Sequence, residues 1–232
     1  AISHLRFPEG DGIRVDTGAL RFRLRPETED LVDEIWHAQG GLLGTALRGL
    51  AVTRDGWERA SMITVADSVV VEERGPERVV VAAAGQLAAG EGRLGRFTLR
   101  IHAYRGRPWL RLFFRVFNDT DVPAQLMEGL SVELRTTLED GQVVLGEHRQ
   151  ITGASETDRL LVRQHRADGF EIFRGDDARL DHGRHWEGPI AFEDDSIGVA
   201  GQVRHFRQLY PKRMWAGLGG RLAFDLFVPT IE

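Results

Sequence analysis

The chain has 232 residues, 42% hydrophobic and 28% charged, with a formal net charge of −5. This composition is typical of a globular protein, and the absence of cysteine excludes disulfides and thiolate metal sites. The negative charge argues against a nucleic-acid partner, whose binding depends on phosphate neutralisation, and no apolar run reaches the ~18 residues that a membrane-spanning helix needs.

Alternating apolar and polar residues in the first half predict short antiparallel strands. A tight turn at Thr17–Gly18 separates the first two strands, and Gly75–Pro76 supplies the turn of a later hairpin. The predicted strands of this half lie at 13–16, 20–24, 31–36, 50–54, 68–73 and 78–84.

The second half begins with the clearest hairpin. Strict alternation over 97–104 and again over 109–117 flanks a turn at 105–108. The aromatic residues of its second strand have even spacing, which we assign to the core: Trp109, Phe113 and Phe117. Further strands are predicted at 124–138, 141–146, 197–204 and 220–227. Residues 148–195, rich in Asp, Arg, Gly and His, are expected to form a long irregular excursion.

These patterns predict the fold class. About fourteen strands without a convincing helix indicate an all-β chain that forms a large antiparallel two-sheet β-sandwich, of the mutarotase-like supersandwich type. No internal repeat or flexible linker is evident, so residues 1–232 are expected to form a single β-sandwich domain. The chain opens with Ala1-Ile2-Ser3, and we expect it to be an excerpt of a longer multidomain protein.

Metal and cofactor motifs are weak. His182 and His185 are three residues apart, with Asp181 and Glu187 beside them, but Gly183 argues against the helix that would let them share a metal. The acidic spacing gives no support for Ca²⁺. Phosphate-binding and serine-hydrolase motifs are also missing. The sequence therefore predicts no metal site and no cofactor.

The most informative stretch is RHFRQLYPK, residues 204–212, which we call the Arg204–Lys212 segment. It holds three cations, a histidine, a glutamine and a phenol. Lys212 is the only lysine, since the 30 Lys and Arg residues comprise one lysine and 29 arginines. An ammonium differs from a guanidinium as a donor and in proton transfer, so this lysine is a candidate functional residue. The alternative is chance survival on a solvated turn.

The segment combines groups that suit removal of a proton next to a carboxylate. If it begins as a strand, Arg204 and Gln208 share one face with Phe206, while His205 and Arg207 take the other. A cation would neutralise the substrate carboxylate, and His or Tyr would move the proton. In the alternative interpretation Phe206 is core and the arginines are solvated.

Proline at position 211 predicts a rigid corner that presents Tyr210 and Lys212. Trp215 follows the corner and is a candidate for stacking on a sugar ring. Trp186 lies near a turn and is a second such candidate, although buried packing is the commoner role of tryptophan.

Several blocks in order resemble the central β-sandwich domain of the YetA-like proteins, the group that includes fungal exo-rhamnogalacturonan lyase. The last block is the most specific, with an Arg, a Phe, a Gln and an aromatic-Pro-Lys in sequence. One departure is Arg207, which stands where an aromatic residue is expected and bears on a sugar subsite. The four blocks are IRVDTG with LRF at 13–22, VEERGPER at 71–78, LRIHAYRGRP at 99–108 and VRHFRQLYPK at 203–212.

The resemblance implies a larger protein, with a small barrel-like β domain before this sandwich and an α/α toroid after it. It implies β-elimination at galacturonate in pectin, with a cleft shared between toroid and sandwich. The candidate proton-handling residues are Tyr210 and His205. The candidate substrate-binding residues are Arg204, Arg207, Gln208, Lys212, Trp215 and Trp186.

We therefore predict a domain of a polysaccharide lyase that cleaves an acidic, uronate-containing glycan. Its partners would be an acidic polysaccharide or oligosaccharide and the flanking domains of the same chain, with no nucleic acid and no membrane. One alternative is a non-catalytic carbohydrate-binding or scaffold domain. A weaker one is a mutarotase-like epimerase using His148 with Glu147, or His102. The substrate class favours an extracellular or periplasmic location, but the sequence leaves the compartment open, cytoplasm included.

Overall fold

The computed structural model confirms an all-β fold. Among the described residues there is no helix, so none of them forms a helix that could cross a membrane. The chain divides into two compact units, residues 1–127 and 128–232. The structure describes residues 3–6, 12–55, 58–89, 92–119, 121, 126–138, 141–146, 149–150, 159–217 and 219–228.

The first unit is a meander in which each strand pairs antiparallel with the next. Strands β5 to β8, of 12 to 17 residues each, are much longer than the mean strand of about five to six residues. The strands are β1 (Ser3–Arg6), β2 (Ile13–Asp16), β3 (Leu20–Leu24), β4 (Glu34–His37), β5 (Leu42–Asp55), β6 (Glu58–Arg74), β7 (Arg78–Ala89), β8 (Gly92–Tyr104) and β9 (Leu110–Phe117).

Hydrogen bonds tie the early strands of this unit back onto the later ones. Thr17, in the β2–β3 turn, donates its hydroxyl to the carbonyl of Arg107 at 3.1 Å and accepts the amide of Gly106 at its own carbonyl at 2.7 Å. In the β3–β4 loop, the amide of Glu27 donates to the carbonyl of Ala66 in β6 at 2.6 Å. In β2, β3 and most of β8 successive side chains point to opposite faces of the sheet, so every second side chain is buried.

The second unit contains two antiparallel sheets. Six strands form one sheet in the order β10-β19-β18-β13-β14-β15, and four form the other in the order β12-β11-β16-β17. The strands are β10 (Leu126–Thr136, which begins in the first unit), β11 (Gln142–Leu145), β12 (Arg149–Gln150), β13 (Arg159–Arg166), β14 (Gly169–Arg174), β15 (Ala178–Gly183), β16 (Ile190–Glu193), β17 (Gly198–Gly201), β18 (Lys212–Gly217) and β19 (Arg221–Phe227).

The two sheets of the second unit enclose a core. Strand β16 contacts β18 and β19, and Gly201 of β17 lies so close to the Phe224 ring that an added Cβ would be 2.1 Å from it. On β13, Leu160, Val162 and Gln164 are buried on one face, and Gln164 accepts a hydrogen bond from the Trp186 amide at 3.3 Å. This packing of sheet on sheet is the predicted β-sandwich.

Three sequence predictions about the elements are wrong. The expected irregular excursion at 148–195 instead contains five strands, β12 to β16. Strand β18 at Lys212–Gly217 was not predicted. The aromatic residues assigned to the core of the second hairpin strand are exposed, because that strand lies at an edge and they project from its outer face: Trp109, Phe113 and Phe117.

Candidate functional site

The first half of the Arg204–Lys212 segment is a turn, not a strand. Strand β17 ends at Gly201, and residues 204–209 turn back so that the Leu209 amide donates to the His205 carbonyl at 3.0 Å. The predicted alternation of side chains over this segment is therefore wrong. Pro211 lacks the N–H that a continued ladder would need. The Tyr210–Pro211 peptide bond is cis.

The turn is anchored by one ring and exposes the polar groups around it. Phe206 is 4% exposed, whereas Tyr210 is 48% exposed, and Arg204, His205 and Gln208 also lie at the surface. His205 has a positive φ of 56°, a conformation that is uncommon outside glycine but enriched for His, Asn and Asp. The predicted proton-handling residues are thus exposed on one short turn.

Arg207 is only partly exposed. Its guanidinium lies 3.9 Å from the carboxylate of Glu187, a carboxylate that is itself mostly exposed. A pair at this distance in contact with water contributes little stability, so the guanidinium is not fixed in place by it. Arg207 remains a predicted substrate-binding residue at the edge of the turn.

Lys212 does not lie on the exposed corner that we predicted. It begins β18, is 8% exposed, and its ammonium donates to the Leu226 carbonyl at 2.6 Å. Burial lowers its pKa. Leu226 lies at the bulge of β19, where Asp225 pairs with Ser131 and Phe227 with Leu130. The ammonium therefore supplies a donor where the ladder is interrupted.

The two tryptophans predicted to stack on sugars lie in the core. Trp215 packs in a buried cluster with Leu161, Phe173 and Ala223. Its other face is covered by a guanidinium, 5.7 Å from the ring centroid, that belongs to Arg159.

Trp186 is fixed by hydrogen bonds as well as by packing. Its ring meets that of Phe170 edge-on at 5.4 Å, and its Nε1–H donates to the Gly188 carbonyl at 3.1 Å. The predicted site residues therefore divide into two groups. The exposed turn carries Arg204, His205, Gln208 and Tyr210, with Arg207 partly exposed at its edge, whereas Lys212, Trp215 and Trp186 are buried.

Sequence analysis missed a cleft in the second unit. It has a volume of about 380 Å³ and lies at the end of the β13–β14 hairpin and along β15. Charged and titratable side chains dominate its lining: His165, Arg166, Asp168, Glu171, Arg179, His182 and Arg184.

Glu171 lines the cleft and binds two arginines through its carboxylate. Arg163 donates to its carboxylate at 2.8 Å and Arg179 at 3.2 Å. Burial by itself raises the pKa of Glu171, but the hydrogen bonds from the two arginines outweigh that effect and hold the pKa below its ordinary value. The carboxylate is therefore ionised at neutral pH and compensates the arginines that bind it.

The strand register places these groups in one row across the sheet. Arg163 lies opposite Arg213 in β18 and Glu171 in β14, and Glu171 lies opposite His182 in β15. At the other end Arg213 donates to Asp225, whose burial raises its pKa. Opposite charges on neighbouring strands stabilise the sheet, which explains why so polar a stretch forms strands.

His165 is the group in the cleft best suited to accept a proton. Its Nδ1 is buried, without a hydrogen-bond partner among the described residues, and lies 3.7 Å from the Glu171 carboxylate. Burial lowers its pKa, with Arg166 and Arg163 adding to the effect and Glu171 opposing it. Because the ordinary histidine pKa is already about 6.5, this imidazole is neutral at pH 7.

Two guanidiniums of the cleft are available to a ligand. Arg166 and Arg184 are exposed, and neither forms an ion pair with any residue in the described part of the chain. Free guanidiniums bind carboxylates with two parallel hydrogen bonds. The cleft can therefore bind an acidic ligand beside a neutral imidazole.

The residues considered for metal and epimerase chemistry have different positions. No cluster of three or more metal-binding side chains occurs within the described residues. His148 and Glu147 lie outside the described residues. His102 lies on β8, where its ring is 4.9 Å from Phe113.

A comparison with protein families finds a match to the family model described as PcRGLX-like protein central beta sandwich domain, over residues 8–162. A search of curated proteins finds no match. The matched residues begin after β1 and end within β13, so both the cleft and the Arg204–Lys212 segment follow them.

Proposed function

This chain belongs to the family of the PcRGLX-like protein central β-sandwich domain, which is rhamnogalacturonan lyase-like, and we propose that it works as part of a polysaccharide lyase. The substrate is an acidic, uronate-containing glycan of the rhamnogalacturonan type. In the β-elimination, a base removes the proton next to the uronate carboxylate and the C–O bond at the β position breaks. The leaving oxygen takes a proton, and an unsaturated uronate remains.

The observation that carries this proposal is the composition of the cleft. β-Elimination needs a cation that stabilises the charge developing on the uronate carboxylate, and a neutral base nearby. Arg166 and Arg184 have no ion-pair partner in the described chain, and His165, whose side chain is 30% exposed, lines the same cleft with its pKa lowered by burial. In the proposal the two arginines bind the uronate carboxylate and His165 accepts the proton.

The exposed turn of the Arg204–Lys212 segment supplies a second set of groups for the same glycan. Tyr210 and His205 are proposed to handle protons there, and Arg204, Arg207 and Gln208 to bind carboxylate or hydroxyl groups. Their exposure on one turn supports this role. The proposal also includes flanking domains of the same chain, which would complete a cleft over one of these sets.

One observation favours a second candidate function, a carbohydrate-binding or scaffold domain without chemistry of its own. Lys212, Trp215 and Trp186 pack in the core, so three of the six predicted substrate-binding residues have a structural role. Such a domain would hold glycan or flanking domains while the proton transfer takes place elsewhere.

The test is formation of unsaturated uronate, followed by its ultraviolet absorbance, on polygalacturonate and rhamnogalacturonan. The protein carrying its flanking domains is compared with His165→Gln, Arg166→Gln/Arg184→Gln and Tyr210→Phe. Removing a general base costs ~10²–10⁴-fold in kcat, so His165→Gln is expected to lower kcat with KM little changed. The double arginine variant is expected to raise KM.

Arg135→Gln is the matched control, because Arg135 is exposed on β10 and has no ion-pair partner in the described chain. Product formation that is unaffected by all cleft and turn variants would move the chemistry to another domain and favour the scaffold function. No product on any acidic glycan would contradict the lyase proposal itself.

A further inference from the structure

The outer face of β9 carries a row of alternating aromatic and cationic side chains. Trp109, directly before the strand, is followed at every second position by Arg111, Phe113, Arg115 and Phe117. The three rings are between 41% and 47% exposed. Large aromatic side chains are usually buried, and a contiguous exposed group of them marks an interaction surface. We call this set the Trp109–Phe117 row.

The row is on the solvent side of the sheet. On the opposite face of the same hairpin Phe97, Leu99 and Ile101 of β8 are at most 1% exposed and Phe97 lies 5.9 Å from Phe114, although Leu112 of β9 on that face is 39% exposed. The exposed rings therefore do not result from a slipped strand. A one-residue slip would have moved the core residues outward as well.

The rings of the row rest on neighbouring strand β8. The Trp109 ring packs against Tyr104 at a centroid distance of 4.6 Å and an interplanar angle of 42°, and Phe113 packs against His102 at 4.9 Å and 52°. Trp109 and Phe113 are thus each supported by a ring of β8 and remain partly open to solvent. Rings held in this way can receive a flat apolar surface without further ordering, which lowers the entropic cost of binding.

The arginines of the row differ from their neighbours in having no acidic partner among the described residues. On the same side of the sheet Arg78 binds Glu73 through two hydrogen bonds of 2.9 and 2.6 Å, and Arg100 binds Glu72 through two of 2.7 and 2.9 Å. Within the described chain no acidic side chain pairs with Arg111 or Arg115, and the same holds for Arg96, which lies opposite Phe117 on β8.

We propose that the Trp109–Phe117 row is a binding surface for an acidic polysaccharide, separate from the cleft of the second unit. Positions two apart on a strand are about 6.7 Å apart, so each ring has a guanidinium beside it at that spacing. The apolar C–H face of a pyranose packs against the electron-rich face of an aromatic ring, and guanidinium binds its carboxylate with paired hydrogen bonds. A uronate residue has both features.

Charge favours a glycan over nucleic acid as the occupant. Aromatic rings and arginines also bind single-stranded nucleic acids, but that binding relies on a cationic groove along many phosphates. This chain has a net charge of −5, and Glu72 and Glu73 of β6 bind Arg100 and Arg78 on the same side of the sheet as the row. The carboxylates of a uronate polymer are more widely spaced than the phosphates of a nucleic acid. They therefore suit the three arginines that have no acidic partner among the described residues, Arg96, Arg111 and Arg115. The choice of ligand class rests on the proposed function.

The experiment measures binding of the 232-residue chain to polygalacturonate and to its methyl-esterified form, by calorimetry or affinity electrophoresis. We expect Arg111→Gln/Arg115→Gln to weaken binding of polygalacturonate at least tenfold, with little effect on the uncharged ester. Phe113→Ala/Phe117→Ala is expected to weaken binding of both forms. The control Arg74→Gln/Arg135→Gln makes the same change in net charge away from the row, and it should bind as wild type.

Each outcome decides the proposal. Unchanged affinity in both row variants would overturn it, as would tighter binding of single-stranded poly(U) than of polygalacturonate, or no binding of polygalacturonate by wild type. If Arg166→Gln/Arg184→Gln abolishes binding and the row variants do not, the inference fails and the proposed function stands. If the row variants lose binding while the protein forms no unsaturated product, the row stands and the lyase proposal fails.

Discussion

Replacing Lys212 tests whether the only lysine of the chain is structural or chemical. Its ammonium donates to the Leu226 carbonyl at 2.6 Å in a site where the residue is 8% exposed. We consider three substitutions: Ala removes stem and charge, Met keeps the stem without the charge, and Arg keeps the charge on a larger planar group.

The structure sets the magnitudes. Lys212→Ala removes three buried methylenes at ~0.8 kcal/mol each, and a hydrogen bond to a charged group at ~1.5–3 kcal/mol. Relief of the desolvation that lowers the Lys212 pKa offsets part of this loss. The expected net decrease in the free energy of unfolding is about 2–4 kcal/mol. Lys212→Met should cost about 1–2 kcal/mol, mainly for the Leu226 carbonyl left without its donor.

Lys212→Arg should cost about 1–3 kcal/mol, because the guanidinium is too large for a site shaped around an ammonium. The measurement is urea unfolding followed by tryptophan fluorescence, with lyase activity assayed on the same variants. Equal stability of wild type and Lys212→Ala would refute the structural role argued from burial and the Leu226 contact. A stable Lys212→Met variant without activity would restore Lys212 to the predicted substrate-binding residues.

Three further substitutions have definite expected results. Glu171→Gln should lower the unfolding free energy by about 1–3 kcal/mol at pH 7. Because the pKa of Glu171 in the folded state lies below its ordinary value, the stabilisation that its carboxylate provides is lost as the pH falls through that pKa. A stability difference between wild type and variant that stays constant into acid would contradict the pairing of Glu171 with the arginines. Phe206→Ala should cost about 3–5 kcal/mol in thermal or urea unfolding, whereas Leu209→Ala, at 56% exposure, should cost under ~0.5 kcal/mol, and equal effects would refute the anchor. Gly201→Ala should cost about 1–3 kcal/mol by the same assay, because its Cβ meets the Phe224 ring, and wild-type stability would disprove that contact.

The sequence predicts the fold well wherever one face of a strand is apolar. Strands β2, β3 and β8 alternate buried and exposed residues, as their patterns require, and the Gly75–Pro76 turn lies between β6 and β7. Side-chain period is a local property, so a single sequence is enough to detect it. Pairings between distant strands, such as β10 with β19, depend on tertiary packing that the sequence does not display.

The strands that were missed have charged residues on one face. In β13 and β14 the polar positions hold Arg163 and Glu171, which pair across the hairpin. A stretch rich in Arg, Asp and Glu has the composition of a loop, but cross-strand ion pairs make it a stable sheet face. The signal was present as alternation with opposite charges on the two strands of one hairpin, separated by the turn at Ala167–Asp168.

The sequence could not separate buried from exposed members of the predicted site, because burial is not a property of residue type. Lys212 and Trp215 belong to classes that often serve ligands, yet both are buried here. Phe113 and Phe117 belong to a class that usually fills cores, yet an edge strand exposes them. Sequence pattern identified the exposed turn around Tyr210 because proline constrains the local backbone. It could not identify the cleft, whose residues meet only when three strands pair.

The partner of each guanidinium shows whether an arginine of this arginine-rich chain has a structural role. Many of the arginines build the fold, as Arg78 does with Glu73 in a two-bond pair and Arg163 does over the Phe173 ring at 4.8 Å. An ammonium lacks the planar fork and therefore cannot reproduce the two-bond pair with Glu73. Lys212 has the opposite task, a single carbonyl acceptor in a confined site.

The arginines without partners are therefore the ones that point to a ligand. In the described chain they include Arg111 and Arg115 among exposed rings, and Arg166 and Arg184 beside a neutral imidazole. If either pair only kept the chain soluble, replacing it with glutamine would promote aggregation and leave glycan affinity unchanged. If the pairs bind carboxylates, affinity falls while the protein stays dispersed, and light scattering beside the binding assay separates the two explanations.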